Sequence, residues 1–120
     1  MDLNLIKEGF FRELPYGEGT GPSIHDAVGV LRGRDLDRIV AYLMAGHPLA
    51  VAPGPSRNVL SPQHEIIGSM AILTDGTFEW PKDLAFYVEN YGVALSNIFL
   101  QHMRNAQWSI GSVEIKVPGI

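Results

Sequence analysis

The sequence contains no cysteine, and this absence excludes disulfide bonds, cysteine nucleophiles and cysteine–zinc sites. Charge is also scarce, because lysine, arginine, aspartate and glutamate make up only 18% of the 120 residues. Thirteen acidic residues outnumber nine basic ones, which gives a formal net charge of -4. Phosphate binding requires a basic surface, so we expect no nucleic-acid partner. Secreted domains of this size often carry disulfides, so the missing cysteines favour a cytoplasmic location.

The sequence also lacks a long hydrophobic run. The longest stretch without a charged residue is 39–56, and it contains two glycines and three prolines, so it cannot form a membrane helix. The N-terminal residues have neither the basic region nor the apolar core of a signal peptide. We therefore expect a protein without membrane association. Hydrophobic residues make up 46% of the chain, enough for one core, so we predict a single domain over 1–120.

A helix is predicted over 36–45, where apolar residues recur at the spacing of one helical face. The residues of this stripe are Leu36, Ile39, Val40, Leu43 and Met44. Asp35 suits the N-cap position, and Gly46 suits the position after the last turn. The next apolar run, 49–52, is predicted to be a short buried strand that ends at 53–55, which reads Pro-Gly-Pro.

The clearest strand signal is a hairpin over 70–80. Asp75-Gly76 is the residue pair typical of a type I′ turn, and β-forming residues flank it. This turn would pair Thr74 with Thr77 and Leu73 with Phe78. The side chains that would then share the core face are Ala71, Leu73, Phe78 and Trp80.

Two further helices are predicted in the second half of the chain. Pro81 fits the first turn of a helix over 81–91 that ends at Gly92, and its inward stripe includes Leu84, Tyr87, Val88 and Tyr91. Ser96 fits the N-cap of a helix over 97–106.

The remaining segments are predicted less sharply. Residues 113–117 alternate strictly and predict a strand with one solvated face. The segment 3–14 is either a short helix or a strand, and Ser23 is expected to cap a short turn after the loop 16–23. We predict a single small α+β domain, with an antiparallel sheet around the central hairpin and three to four helices packed on it.

No catalytic motif is present. The histidines His25, His47, His64 and His102 have no metal-ligand partner at helical spacing, so we expect no metal site, no cofactor and no catalytic residue. The glycine loop 17–21 lacks the lysine of a phosphate-binding loop. Two alternatives stay open. One is a small enzyme or a ligand- or metal-binding protein that uses His25, His47 or His64 with this loop. The other is a homo-oligomeric structural module, since low charge leaves apolar surface for self-association.

An acidic surface with an aromatic anchor is predicted between residues 79 and 91. Lys82 is the only basic residue within 61–91, against five acidic residues. Phe86 falls off the apolar stripe of its helix, so it is expected either to lie at an interface or to cover the helix junction. The four residues predicted to bind a basic protein partner are Glu79, Asp83, Phe86 and Glu89.

Several short segments resemble small uncharacterised bacterial proteins, some of which are similar to the immunity partners encoded beside polymorphic or contact-dependent toxins. The segments that carry the resemblance are Gly21-Pro22-Ser23, Asp26-Ala27-Val28, Leu49-Ala50-Val51 before Pro53-Gly54, Ile72–Gly76, Trp80-Pro81, Asp83-Leu84-Ala85, Tyr87-Val88 and Tyr91. The resemblance implies a non-enzymatic protein that blocks a toxin domain by stoichiometric occlusion, and nuclease toxins of this kind are often basic. It carries over no binding residue.

Overall fold

The computed structural model describes residues 4–17 and 19–111. Within these residues, four strands form one sheet: β1 (Ile6–Lys7), β2 (His47–Arg57), β3 (Ile66–Thr74) and β4 (Phe78–Pro81). The α-helices are α1 (Leu36–Met44), α2 (Leu84–Tyr91) and α3 (Asn97–Asn105), and a short 3-10 helix spans Ile24–Asp26. The predicted α+β class is confirmed.

The sheet has the strand order β1-β4-β3-β2 and is mixed rather than purely antiparallel. The β2–β3 and β3–β4 pairs are antiparallel, whereas β1 runs parallel to β4. The amide of Ile6 donates to the carbonyl of Thr77, and the amide of Glu8 donates to the carbonyl of Glu79, each at 2.9 Å. The N-terminal segment therefore contributes a two-residue edge strand.

The hairpin is present, but its register differs from the predicted one. Thr74 pairs with Glu79 and Leu73 with Trp80, each two residues beyond the predicted partner. A shift of two residues keeps every side chain on its original face of the sheet. The predicted core face is consequently correct, and its members Ala71, Leu73, Phe78 and Trp80 are all buried.

The side chain of Asp75 explains the shifted register. Its Oδ1 accepts hydrogen bonds from the amides of Thr77 and Phe78 at 2.9 and 2.7 Å, which closes a longer turn. Among the turn residues only Gly76 has a positive φ, at 96°, whereas a type I′ turn needs positive φ at both central residues. The predicted type I′ turn is therefore wrong.

The helices lie close to their predicted positions, with one wrong boundary. Helix α2 begins at Leu84, because Pro81 ends β4 and the amide of Lys82 still donates to the carbonyl of Ala71 at 2.9 Å. Gly92 ends α2 in the left-handed conformation, at φ 60°, where a glycine is favoured.

Two of the three predicted caps form. Ser96 accepts the amide of Phe99 through its hydroxyl, and Ser23 accepts the amide of His25 in the same way. Asp35 makes no side-chain cap bond to α1. Its carboxylate lies 3.5 Å from the guanidinium of Arg38 instead.

Strand β2 differs most from the expectation. It continues through Pro53 and Pro55, with irregular pairing between Val51 and Pro55, and it is largely exposed. Prolines are tolerated there because β2 lies at the edge of the sheet, where one side of the backbone needs no hydrogen bonds. The prediction of a short buried strand at 49–52 is therefore wrong. The strand predicted at 113–117 lies outside the described residues.

The core is built around Trp80, which is fully buried between the sheet and the helices. Its ring lies 6.2 Å from that of Tyr42 and 5.3 Å from that of Phe99, and its Nε1 donates to the carbonyl of Leu43 at 3.0 Å. A Cβ atom on Gly46 would lie 2.6 Å from the Trp80 ring. Gly46 is therefore required by close packing between the end of α1 and β4.

Candidate functional site

An apolar cleft of about 630 Å³ lies between α1, α2 and the β2–β3 half of the sheet. Ala71 and Leu73 of β3 contribute buried lining residues. At its edge, Met44 of α1 is 70% exposed and Val51 of β2 is 73% exposed. The cleft is therefore open to solvent, and its exposed edge combines these apolar side chains with the polar residues Ser69, Lys82 and Glu89.

The cleft exists because α1 and α2 bury only part of their apolar residues. Helix α1 buries the face that contains Val40 and Leu43, whereas Met44 lies outside this face and is exposed. Helix α2 buries Leu84, Ala85, Tyr87 and Val88, whereas Phe86 is only partly buried. The Phe86 ring is held 5.5 Å from that of Tyr87 in an edge-on arrangement. Phe86 is thus an ordered aromatic side chain beside the cleft.

Three charged residues line the cleft, all on or next to α2: Lys82, Asp83 and Glu89. The ammonium of Lys82 donates a hydrogen bond to the hydroxyl of Ser69 at 3.0 Å, so the one cation of the lining is engaged by a neighbour. Glu89 lies on the exposed face of α2. The lining consequently carries two carboxyl groups against one lysine.

Asp83 is the unusual member of this set. Its Oδ1 atom is buried and has no hydrogen-bond partner among the described residues. Burial raises the pKa of Asp83 from an ordinary value of 3.8 to about 6, although its own backbone amide and then Ser56, acting as donors, lower it. The hydroxyl of Tyr16 is also buried without a partner, and burial together with the negative charge of Asp83 raises the pKa of Tyr16.

The structure brings together three of the four residues predicted to bind a partner. Asp83, Phe86 and Glu89 all line the cleft. Glu79 does not, because it lies in β4 between the buried residues Phe78 and Trp80 and so belongs to the opposite face of the sheet. Reasoning from the sequence missed Met44 and Val51, since their apolar character predicted burial in the core.

Comparisons with protein-family models, with curated proteins and with solved structures found no match. No helix within the described ranges is long and apolar enough to cross a membrane. The geometry of the described residues is therefore the main guide to function.

A second polar cluster lies on the hairpin turn, away from the cleft. Oδ2 of Asp75 accepts the hydroxyl of Tyr42 at 2.6 Å and lies 3.2 Å from Nε2 of His102. The Asp75 side chain is only 2% exposed, and burial together with this carboxylate raises the pKa of Tyr42 strongly. Since Tyr42 is on α1 and His102 on α3, the cluster fastens both helices to the turn.

A carboxylate–histidine pair also occurs in acid–base catalysis, where a third group holds the substrate or acts as nucleophile. Here Tyr42 and the backbone amides of the turn share the carboxylate of Asp75 with His102. These contacts all join structural elements, so a structural role explains the pair best. The sequence did not reveal it, because the three side chains are far apart along the chain.

The other histidines form no comparable cluster. His25 and His64 are exposed, and Nε2 of His47 lies 3.3 Å from the carbonyl of Gly111. None of these three histidines lines the cleft. In residues 4–17 and 19–111, no group of three or more His, Asp and Glu side chains is placed to hold a metal ion.

Proposed function

We propose that this protein is a non-enzymatic binding module of the bacterial cytoplasm, an immunity protein that neutralises a toxin domain by stoichiometric occlusion. The observation that carries the proposal is the open apolar cleft lined by Asp83, Phe86 and Glu89. Contiguous exposed apolar surface is typical of interaction sites, and an ordered aromatic side chain is a common binding anchor. The resemblance of several segments to immunity partners, and the absence of cysteine, support the same proposal.

Occlusion requires both attraction and burial, and the cleft offers both. The two carboxyl groups of the lining would attract basic residues of a nuclease toxin's active site. The exposed side chains of Met44 and Val51 would be buried by the partner, which slows dissociation.

The test is protection of cells from the toxin encoded by the neighbouring reading frame. We would co-express that frame with the wild-type protein, with Met44→Lys and with Ile98→Lys. Ile98→Lys is the matched control for Met44→Lys. Both residues lie on helices, and they are 71% and 70% exposed, so neither change should alter folding. We expect Met44→Lys to lose protection and co-purification, because it places a repelling cation in the binding cleft, and Ile98→Lys to retain both.

Equal protection by the two variants would contradict the cleft as the binding site. Absence of any protection by the wild-type protein would contradict the immunity function itself. Sedimentation of the purified protein at several concentrations tests whether a second copy of this chain occupies the cleft instead. A dimer that dissociates in Met44→Lys would assign the cleft to self-association and overturn the proposal.

A further inference from the structure

The walls of the cleft define the shape of an occupant. A volume of about 630 Å³ is larger than any single side chain and falls within the range of well-formed ligand sites, roughly 300–1,000 Å³. The cleft runs between two helices and an edge strand, and its exposed edge includes the flexible side chain of Met44. Methionine adapts its shape to apolar groups of a partner. An amphipathic segment that inserts several side chains fits this geometry better than a single inserted side chain does.

The charged residues of the cleft indicate the charge that the occupant carries. Lys82 is hydrogen-bonded to Ser69, whereas Asp83 and Glu89 face no cation in the described ion pairs. A carboxyl group that is largely removed from water, as that of Asp83 is, interacts more strongly with a cation than a solvated one does, because less water screens the pair. Asp83 additionally has a buried oxygen, Oδ1, without a hydrogen-bond partner among the described residues, so its carboxyl group is short of donors.

We infer that the cleft binds an amphipathic segment of the partner whose apolar side chains carry a lysine or arginine to Asp83 and Glu89. The inference rests on the proposed function and specifies the chemistry of the partner's anchor. Asp83 and Glu89 then determine specificity, because the apolar walls alone would accept an uncharged or acidic segment of the same shape.

Three small molecules that share an apolar phenylalkyl part but end in a cationic, a neutral or an anionic group test this chemistry without the partner. We would titrate the wild-type protein with 4-phenylbutylammonium, 4-phenylbutanol and 4-phenylbutyrate, and follow the backbone amide resonances by NMR. We expect all shifts to centre on the cleft, the ammonium to bind about 5- to 10-fold more tightly than the alcohol, and the carboxylate to bind most weakly.

The variants Asp83→Asn and Glu89→Gln should each reduce the preference for the ammonium over the alcohol, and Glu79→Gln should leave it unchanged. Glu79 is the matched control because it is an acidic residue of the same region that lies outside the cleft. Equal binding of the three probes, or a preference that survives in the double variant of Asp83 and Glu89, would overturn the inference.

The two proposals fail in distinguishable ways. If Met44→Lys abolishes protection but the probes show no preference for the cation, the cleft is the partner site and the inferred head group is wrong. If the probes show the preference but Met44→Lys still protects, the cleft has the inferred chemistry and the proposed function is wrong.

Discussion

Asp75 and Asp83 flank the same short strand, β4, and both carboxyl groups are largely removed from water, yet their surroundings are opposite. Asp75 receives hydrogen bonds from two backbone amides and from Tyr42, and it lies beside His102. Asp83 has only its own backbone amide and Ser56 as donors that lower its pKa, and its Oδ1 has no hydrogen-bond partner among the described residues.

The difference separates a carboxylate that its neighbours satisfy from one that lacks donors. A buried carboxylate surrounded by donors stabilises the folded state and holds its neighbours in place. A buried carboxylate with too few donors destabilises the folded state when it is ionised, and such groups are enriched at functional sites. On this comparison Asp75 is part of the scaffold, whereas Asp83 is a residue of the cleft whose carboxyl group is short of donors.

The largest expected effect is that of Asp75→Ala. The change leaves the amides of Thr77 and Phe78 and the hydroxyl of Tyr42 without their acceptor, so we expect the free energy of unfolding to fall by about 3–5 kcal/mol. Urea denaturation monitored by tryptophan fluorescence measures it. The control Asp37→Ala, at an exposed position in the first turn of α1, should lose less than about 1 kcal/mol. Similar losses in the two variants would contradict the structural role of Asp75.

The next effect is a pH dependence that Asp83→Asn removes. The pKa of Asp83 is about 6 in the folded state and near 3.8 in the unfolded state. Between these two pH values, Asp83 is therefore protonated more often in the folded state than in the unfolded state. The stability of the wild-type protein should therefore fall as pH rises through this window. Relative to Asp83→Asn, we expect a loss of about 2 kcal/mol between pH about 4 and pH about 7. Urea denaturation of both proteins at four pH values measures the difference, and parallel pH profiles would contradict the buried, donor-poor setting.

The smallest effect is that of Ser56→Ala. Ser56 is buried, and its hydrogen bond to Asp83 lowers the pKa of that carboxyl group. Its loss should destabilise the protein by about 1 kcal/mol above pH about 6, where Asp83 is ionised, and by less below. The same substitution in the Asp83→Asn background is the control. An equal loss in both backgrounds would show that Ser56 acts through packing alone.

Local patterns in the sequence predict most elements but not every boundary. The apolar stripes around Val40 and Val88 identify α1 and α2, and Ser96 identifies the start of α3. The start of α2 is mispredicted because Pro81 suits a first helical turn equally well as the end of a strand. The hairpin register is mispredicted because the side chain of Asp75, rather than a two-residue turn, closes the loop.

Some residues of the candidate site can likewise be predicted from the sequence, and others cannot. Asp83, Phe86 and Glu89 are predictable because one short helix and its N-cap present them together. Met44 and Val51 are not, because their exposure depends on how far α1 and the edge strand extend beyond the core. Glu79 is close to Asp83 along the chain but on the other face of the sheet, which only the path of β4 reveals.

Composition and local pattern alone exclude cysteine chemistry and predict the α+β class, the hairpin and the faces of its strands. These properties follow from short-range preferences that each segment carries with it. The cleft, the buried oxygen of Asp83 and the Tyr42–Asp75–His102 cluster arise only when distant segments pack together. Burial and hydrogen-bond satisfaction depend on what surrounds a side chain, so tertiary structure alone decides why two aspartates of one sequence have opposite surroundings.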